Sequence, residues 1–202
     1  ISESPRRLCE ALIAFFVLLN ASCVRTVSER VARSLRFTGK AAAVLPLFSV
    51  PASPVLLPRP PEYTGGFSVL TVARLTKEKQ VHLLVRAVAA LPEASLVVLG
   101  DGPERKTLES LASRLGIASR VHFAGWQNPE AYYQHADVYA QVSRYEGYGV
   151  SLVEAALHGL PIISTDVGLV GELLKQNADM LVVDANTRSI VRATLRLKFE
   201  GL

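Results

Sequence analysis

The residues best suited to chemistry lie in SRYEGYGVSLVEAALHGLP, residues 143–161. Glu146 and Glu154 stand eight positions apart, with Gly147-Tyr148-Gly149 between them and an apolar run of helical pattern behind. A helix starting near Ser151 leaves its first amide N–H groups without backbone acceptors. Those donors, together with the helix dipole, favour an anion. Gly147 and Gly149 let the backbone bend and let a bulky anion approach where no Cβ stands in the way. A phosphate or diphosphate at Val150–Ser151 is the natural guest. Glu146 would then lie at its side, and Glu154 one turn into the helix could accept from hydroxyls. The same spacing also has a plainer reading. Ser151 and Glu154 in SLVE have the pattern of a capping box, in which Glu154 only closes the helix.

Two cations strengthen the anion reading. Arg74 and Lys79 in ARLTKEK follow an apolar run that predicts a strand. At the carboxyl edge of a sheet they would neutralise a diphosphate leaving group; elsewhere such a pair is merely solvated. No D-x-D occurs in the chain, so no carboxylate pair for Mg²⁺ or Mn²⁺ is evident. No metal site and no cofactor are expected. Side-chain cations and a helix N-terminus would take the metal's place.

Other features carry less. GDGPE at 100–104 lacks the third glycine of a dinucleotide fingerprint, which disfavours an NAD-linked oxidoreductase. Pro103 more simply opens the next helix. His82, His122 and His158 read as structural or surface residues. Trp126 either stacks on a base or covers a sheet edge. Glu172 is either an acid at a helix N-terminus or a ligand contact.

The elements that must hold these residues follow from periodicity. Apolar runs at 67–73, 95–100, 120–125, 137–143, 161–165 and 180–184 predict strands. Helical patterns at 81–91, 104–116, 129–136, 151–159, 170–175 and about 187–199 fall between or after them. Strands that are apolar on both faces and alternate with helices predict a Rossmann-like parallel sheet with helices on both sides. Ligands of such sheets bind beyond the carboxyl ends of the strands. The loops after Ala73, Leu99, Ala124, Val142 and Thr165 are therefore the ones to search.

Upstream, residues 21–28 predict a strand leading to a Ser28 cap, 29–35 a helix and 42–48 another strand. So small a set buries little by itself. It reads as the tail of another α/β domain. The expected organisation is a remnant over 1–50, a Pro/Gly-rich linker over 51–66 and a Rossmann-like anion-binding domain over 67–202, which the resemblance given below makes a nucleotide-sugar-binding domain. The net charge of +4 arises in residues 1–62, with eight Lys/Arg against four Glu; the remainder holds fourteen of each sign. Nucleic-acid binding is not favoured. Cys9 and Cys23 offer neither a metal spacing nor a disulfide framework. The nine apolar residues 11–19 are too few to span a bilayer and read as a buried helix. Asn20–Ser22 formally fits a glycosylation acceptor but carries no weight in a chain that reads as cytoplasmic. The opening Ile1 suggests a fragment or a processed product.

Several ordered stretches together resemble the family 4 retaining glycosyltransferases of the GT-B fold. They are VARLTKEKQVHLLVRAV, VVLGDGPERKTLESLA, RVHFAG and YEGYGVSLVEAALHGLPIISTDVGLVGELL, with the E-x₇-E element Glu146 to Glu154 as the family's mark. CVRTVSERVARSL is similar to the end of the family's N-terminal domain. The resemblance implies a nucleotide-sugar donor, UDP- or GDP-linked, and an acceptor that is a glycan, a lipid or a small molecule. It assigns Arg74 and Lys79 to the diphosphate and Glu146 to the donor sugar. Tyr148 and Gly149 would offer backbone to the sugar, with Gly147 in the same turn, and the Val150 and Ser151 amides would meet phosphates. Glu154 would take the ribose, and the Gly125–Asn128 loop, with Trp126, would lie near the base. Gln80 stands where the family often has glycine, and Leu169 where a second glycine is common. Most of the N-terminal domain would be missing, and with it the acceptor wall and any peripheral membrane contact. The expectation is an enzyme whose donor half alone is inactive; the alternative is a non-catalytic nucleotide-sugar-binding fragment.

Overall fold

The computed structural model describes residues 21, 24–36, 42–44, 55–64, 66–171 and 180–200. The apolar run 11–19, Cys9, Cys23, Asn20 and Ser22 of the glycosylation triplet, and Glu172 lie outside them, as does most of the helix expected over 170–175. The chain forms two compact units, Ile1–Leu47 and Phe48–Leu202.

In the first unit, β1 (Val24–Thr26) and β2 (Ala42–Val44) pair in parallel around helix α1 (Glu29–Ser34). Ser28 caps α1, its hydroxyl accepting from Val31 N at 3.3 Å, and Glu29 stands in the first turn where the helix dipole favours an acid.

The second unit holds the candidate site. Its elements in chain order are β3 (Phe67–Val72), a 3₁₀ turn (Lys77–Lys79), α2 (Val81–Ala89), β4 (Ala94–Leu99), α3 (Arg105–Arg114) and β5 (Val121–Gly125). They continue as α4 (Glu130–His135), β6 (Val138–Gln141), α5 (Val150–Leu157), β7 (Ile162–Ser164), β8 (Met180–Val182) and α6 (Thr187–Glu200). The six strands are all parallel, in the order β5-β4-β3-β6-β7-β8. This is the predicted parallel sheet.

Every residue of β4 and β6 is buried, because helices cover both faces. Successive residues point to opposite sides. Val69, Leu96, Val98, Val138 and Ala140 join one core with α2, α3 and α6. Leu70, Val97, Leu99 and Tyr139 join the other with α4 and α5. Helix α2 shows how spacing selects the buried face: Val81, Leu84, Val85 and Val88 recur at i, i+3, i+4 and i+7. Each such side chain contributes roughly 1.5–3 kcal/mol by burial, and Leu84→Ala would cost about 2–5 kcal/mol.

The sequence order explains where a ligand can enter. From β3 the chain runs outward to β4 and β5, then returns to lay β6 on the other side of β3. The helices that follow β3 and β6 therefore lie on opposite faces of the sheet, α2 in one core and α5 in the other, which marks the crevice at the carboxyl edge where ligands of such sheets bind. Strands β3 and β6 pair through Val69–Val138 and Leu70–Tyr139. Asp137 fixes this register, its Oδ2 accepting from Ser68 N at 2.7 Å and from Ser68 Oγ at 2.6 Å.

The proline-rich stretch forms neither helix nor strand over its described part, turns at Pro61–Glu62, and is fastened down. Leu57 N donates to Gln134 Oε1 at 2.8 Å, His135 Nε2 lies 2.8 Å from Leu57 O, and Tyr63 OH donates to Tyr132 O at 2.8 Å. Residues 55–64 thus form a strap on α4.

Candidate nucleotide-diphosphate site

Lys79 and Glu146 meet across the crevice. Lys79 ends the 3₁₀ turn after β3, and Glu146 sits in the loop after β6. Lys79 Nζ lies 2.5 Å from Glu146 Oε1, with side chains 19% and 14% exposed. Ser143 Oγ donates to the same oxygen at 2.9 Å, and Thr165 Oγ1 holds the Ser143 carbonyl at 2.7 Å. A cation and a carboxylate thus stand side by side at the switch point of the sheet.

The turn between Glu146 and α5 differs from expectation in its cap. Gly149, at φ 90°, is the N-cap, and the helix starts at Val150. Ser151 is therefore inside the helix, and the capping-box reading fails. Its hydroxyl turns inward instead, accepting from Tyr139 OH at 2.8 Å and donating to Gln141 Oε1 at 3.3 Å. Glu154 does not close the helix either. Its Oε2 accepts from Tyr133 OH at 3.0 Å. Burial, then the charges around it, holds the Tyr133 phenol well above its ordinary pKa, so it remains a proton donor to the carboxylate.

Gly149 needs its glycine for the left-handed backbone, which a side chain resists. Gly168, at φ 58°, needs it for space as well. A Cβ there would lie 2.4 Å from Tyr148 O and 3.2 Å from Glu146 Cβ. The loop after β7 is thus packed directly on the glutamate turn. Leu169 is buried in it and donates from its amide to Tyr148 O at 3.1 Å, so the departure from the family's glycine is accommodated.

The remaining expected residues are spread along the same edge. Arg74 is exposed just after β3. Gly147 would tolerate a Cβ without contact, whereas Tyr148 is buried. Val150 is exposed at the start of α5. Gly125 ends β5, two strands from β3, and its carbonyl accepts from Gly100 N at 2.7 Å. Trp126 follows with 72% of its surface exposed, so it does not seal the sheet edge. Gly125 and Trp126 stand at the end of β5, whereas the Lys79–Glu146 pair joins the loops after β3 and β6. Among the described residues no group of three or more His, Cys, Asp or Glu is placed to hold a metal ion, and no helix is long and apolar enough to cross a membrane. An apolar cavity of about 260 Å³ between Phe67, Leu91, Leu195 and Phe199 lies at the amino ends of β3 and β4, away from this edge.

Sequence reasoning missed Gln80, Tyr133, Tyr139 and Ser143. Tyr133 stood in a segment already read as a helix, PEAYYQHA, but nothing in its spacing pointed at Glu154.

A model of the glycosyl transferases group 1 family matches residues 57–198. The chain belongs to this family. Lipopolysaccharide core biosynthesis glycosyltransferase LpsE of Rhizobium meliloti (strain 1021) is 41% identical over 98 residues, 48% of this chain and 29% of that protein. The UDP-N-acetylglucosamine--peptide N-acetylglucosaminyltransferase GtfA subunit of Streptococcus parasanguinis is 30% identical over 154 residues, 74% of this chain and 31% of its own length. The chain therefore spans less than a third of these two relatives. Among solved structures, Anabaena Alr3699/HepE in complex with UDP-glucose superposes with a TM-score of 0.82 at 20% identity, over 98% of this chain and 60% of that one. Pneumococcal GtfA in complex with UDP and GlcNAc gives 0.77 at 22% identity, over 92% and 40%. These likenesses establish the α/β fold of GT-B glycosyltransferases.

Proposed function

We propose that this chain is the donor-binding part of a retaining glycosyltransferase of family 4. It would transfer a hexosyl-type sugar from UDP- or GDP-sugar to a glycan, lipid or small-molecule acceptor without a divalent metal. The observation that carries the reading is the Lys79–Glu146 pair at the switch point, beside the α5 N-terminus. Such a place suits a ligand that presents a diphosphate and sugar hydroxyls at once.

In this reading Lys79 and Arg74 neutralise the diphosphate, aided by the Val150 and Ser151 amides in the first turn of α5. Glu146 accepts from a donor-sugar hydroxyl, and Glu154, oriented by Tyr133, accepts from the ribose. Trp126 and the backbone at Gly125 lie where the base would extend. The bond from the sugar's anomeric carbon to the diphosphate oxygen breaks through an oxocarbenium-like state. The acceptor oxygen bonds to that carbon on the same face, and its proton passes to the departing diphosphate. The relatives solved with UDP support the choice of nucleotide.

Calorimetric titration with UDP and GDP, with and without EDTA, tests this. Micromolar binding of either nucleotide in EDTA is expected. Binding only with Mg²⁺ or Mn²⁺ would refute the metal-free reading, and no binding under any condition would refute the donor site.

A further inference from the structure

Gln80 is, among the described residues, the one non-glycine with a left-handed backbone, at φ 49° and ψ 31°. It follows Lys79 directly and stands at the N-cap of α2, yet its side chain makes no bond to that helix. A Cβ crowds the carbonyl in this region, so a side chain persists there only where its surroundings over-determine it. The surroundings that do so lie across the crevice. Gln80 is 6% exposed. With its amide oriented so that both atoms have partners, Nε2 donates to Val142 O at 3.2 Å and Oε1 accepts from Arg144 Nε at 3.2 Å. Close by, Arg144 N donates to Glu78 O at 2.7 Å. With the Lys79–Glu146 pair, residues 78–80 are joined to residues 142–146 through each of three consecutive side or main chains.

We infer that Gln80 is a positioning residue for the nucleotide donor. Its amide fixes the loop after β6 against the turn after β3, and so sets the separation of Lys79 and Glu146 before a diphosphate arrives. Preorganisation of this kind raises affinity by removing the ordering that binding would otherwise require. The inference rests on the donor site proposed above.

The backbone and the side chain of Gln80 make opposite demands, and that opposition gives the test. Gln80→Gly relaxes the backbone and cuts the tie. Gln80→Asn tolerates the left-handed conformation but is one methylene short of Val142. Each variant of the full chain is compared with the native chain by thermal melting, UDP calorimetry and limited trypsin digestion. The expected result is a melting temperature equal to or above the native value in Gln80→Gly. Its UDP affinity falls about tenfold, near the worth of one to two net hydrogen bonds, and cleavage after Lys79 and Arg144 is faster. Gln80→Asn loses affinity similarly, which keeps the test open should the glycine variant not fold. UDP affinity within twofold of native in either folded variant overturns the inference. Absence of UDP and GDP binding by the native chain overturns the donor site and the affinity role together. Trypsin then judges the tie by itself: faster cleavage in Gln80→Gly supports it, and unchanged cleavage overturns it.

Discussion

Glu154→Gln keeps the shape of the side chain and removes its charge, which separates two duties of Glu154. One duty lies inside the fold. Glu154 Oε2 accepts from Tyr133 OH at 3.0 Å, and Tyr133 is only 2% exposed. A glutamine oxygen accepts there as well. The loss is therefore the gap between a hydrogen bond to a charged group, about 1.5–3 kcal/mol, and a neutral one, about 0.5–1.5 kcal/mol. Tyr133 OH also lies 3.2 Å from Ser151 O, a second acceptor that limits the damage. The stability cost is then about 1 kcal/mol, a fall of roughly 2–4 °C in melting temperature for a chain of this size. The other duty is toward the ligand. A carboxylate accepting from one or two ribose hydroxyls loses the same gap of about 1 kcal/mol at each, so UDP binding weakens about 5- to 30-fold. Calorimetry for the nucleotide and scanning calorimetry for the fold read the two duties separately. A UDP affinity within twofold of native, with the small thermal loss alone, would show that Glu154 serves only to anchor Tyr133.

The other perturbations follow from single contacts. A double-mutant cycle of Lys79→Met and Glu146→Gln in urea unfolding should give a coupling of about 1–2 kcal/mol, above the range of an exposed pair because both side chains are largely covered; a coupling near zero would make the pair incidental. Gly168→Ala should destabilise by about 2–4 kcal/mol, since its Cβ meets the Tyr148 carbonyl at 2.4 Å. A loss under about 0.5 kcal/mol would show that the turn simply relaxes. His82 is exposed on α2, yet its pKa is lowered, first by partial desolvation of the ring and then by Arg86 and Arg144. Its unfolded form binds protons more readily, so its contribution is complete above the ordinary histidine value of about 6.5 and declines as pH falls below it. Melting temperatures measured from pH 7.5 to 5 should therefore fall less steeply in His82→Gln; identical slopes would exclude the effect.

Much of this arrangement was legible because it is local. Apolar runs bounded by glycine gave the strands, and the i, i+3, i+4 spacing gave α2 and α3. The glycine turn between two glutamates pointed to the candidate site. What escaped was set by contacts distant in sequence. The S-x-x-E pattern at Ser151–Glu154 matched a capping box. In the fold, Tyr139 and Gln141 claim the Ser151 hydroxyl, and Gly149 takes the cap through its backbone alone. Gln80 read as a departure from a glycine, since nothing in the one-dimensional pattern announces Val142 and Arg144 as its partners. Tyr133 and Glu154 are twenty-one residues apart on separate helices, a pairing that neither helix's periodicity encodes.

The strap over α4 bears on the order in which the site becomes rigid. Its hydrogen bonds join residues 69 to 79 positions apart. Contacts of such separation form only after much of the intervening chain has been gathered in, because loop closure must come first. Helix α4 has six residues, too few to persist unsupported, and it carries Tyr133. The carboxylate of Glu154 therefore acquires its fixed orientation late, once α4 is clamped from outside by a stretch that has no regular structure of its own. In native-state hydrogen exchange, the Leu57 amide should lose protection together with the amides of α4 and before those of β4. Protection of Leu57 that outlasts the central strand would reverse that order.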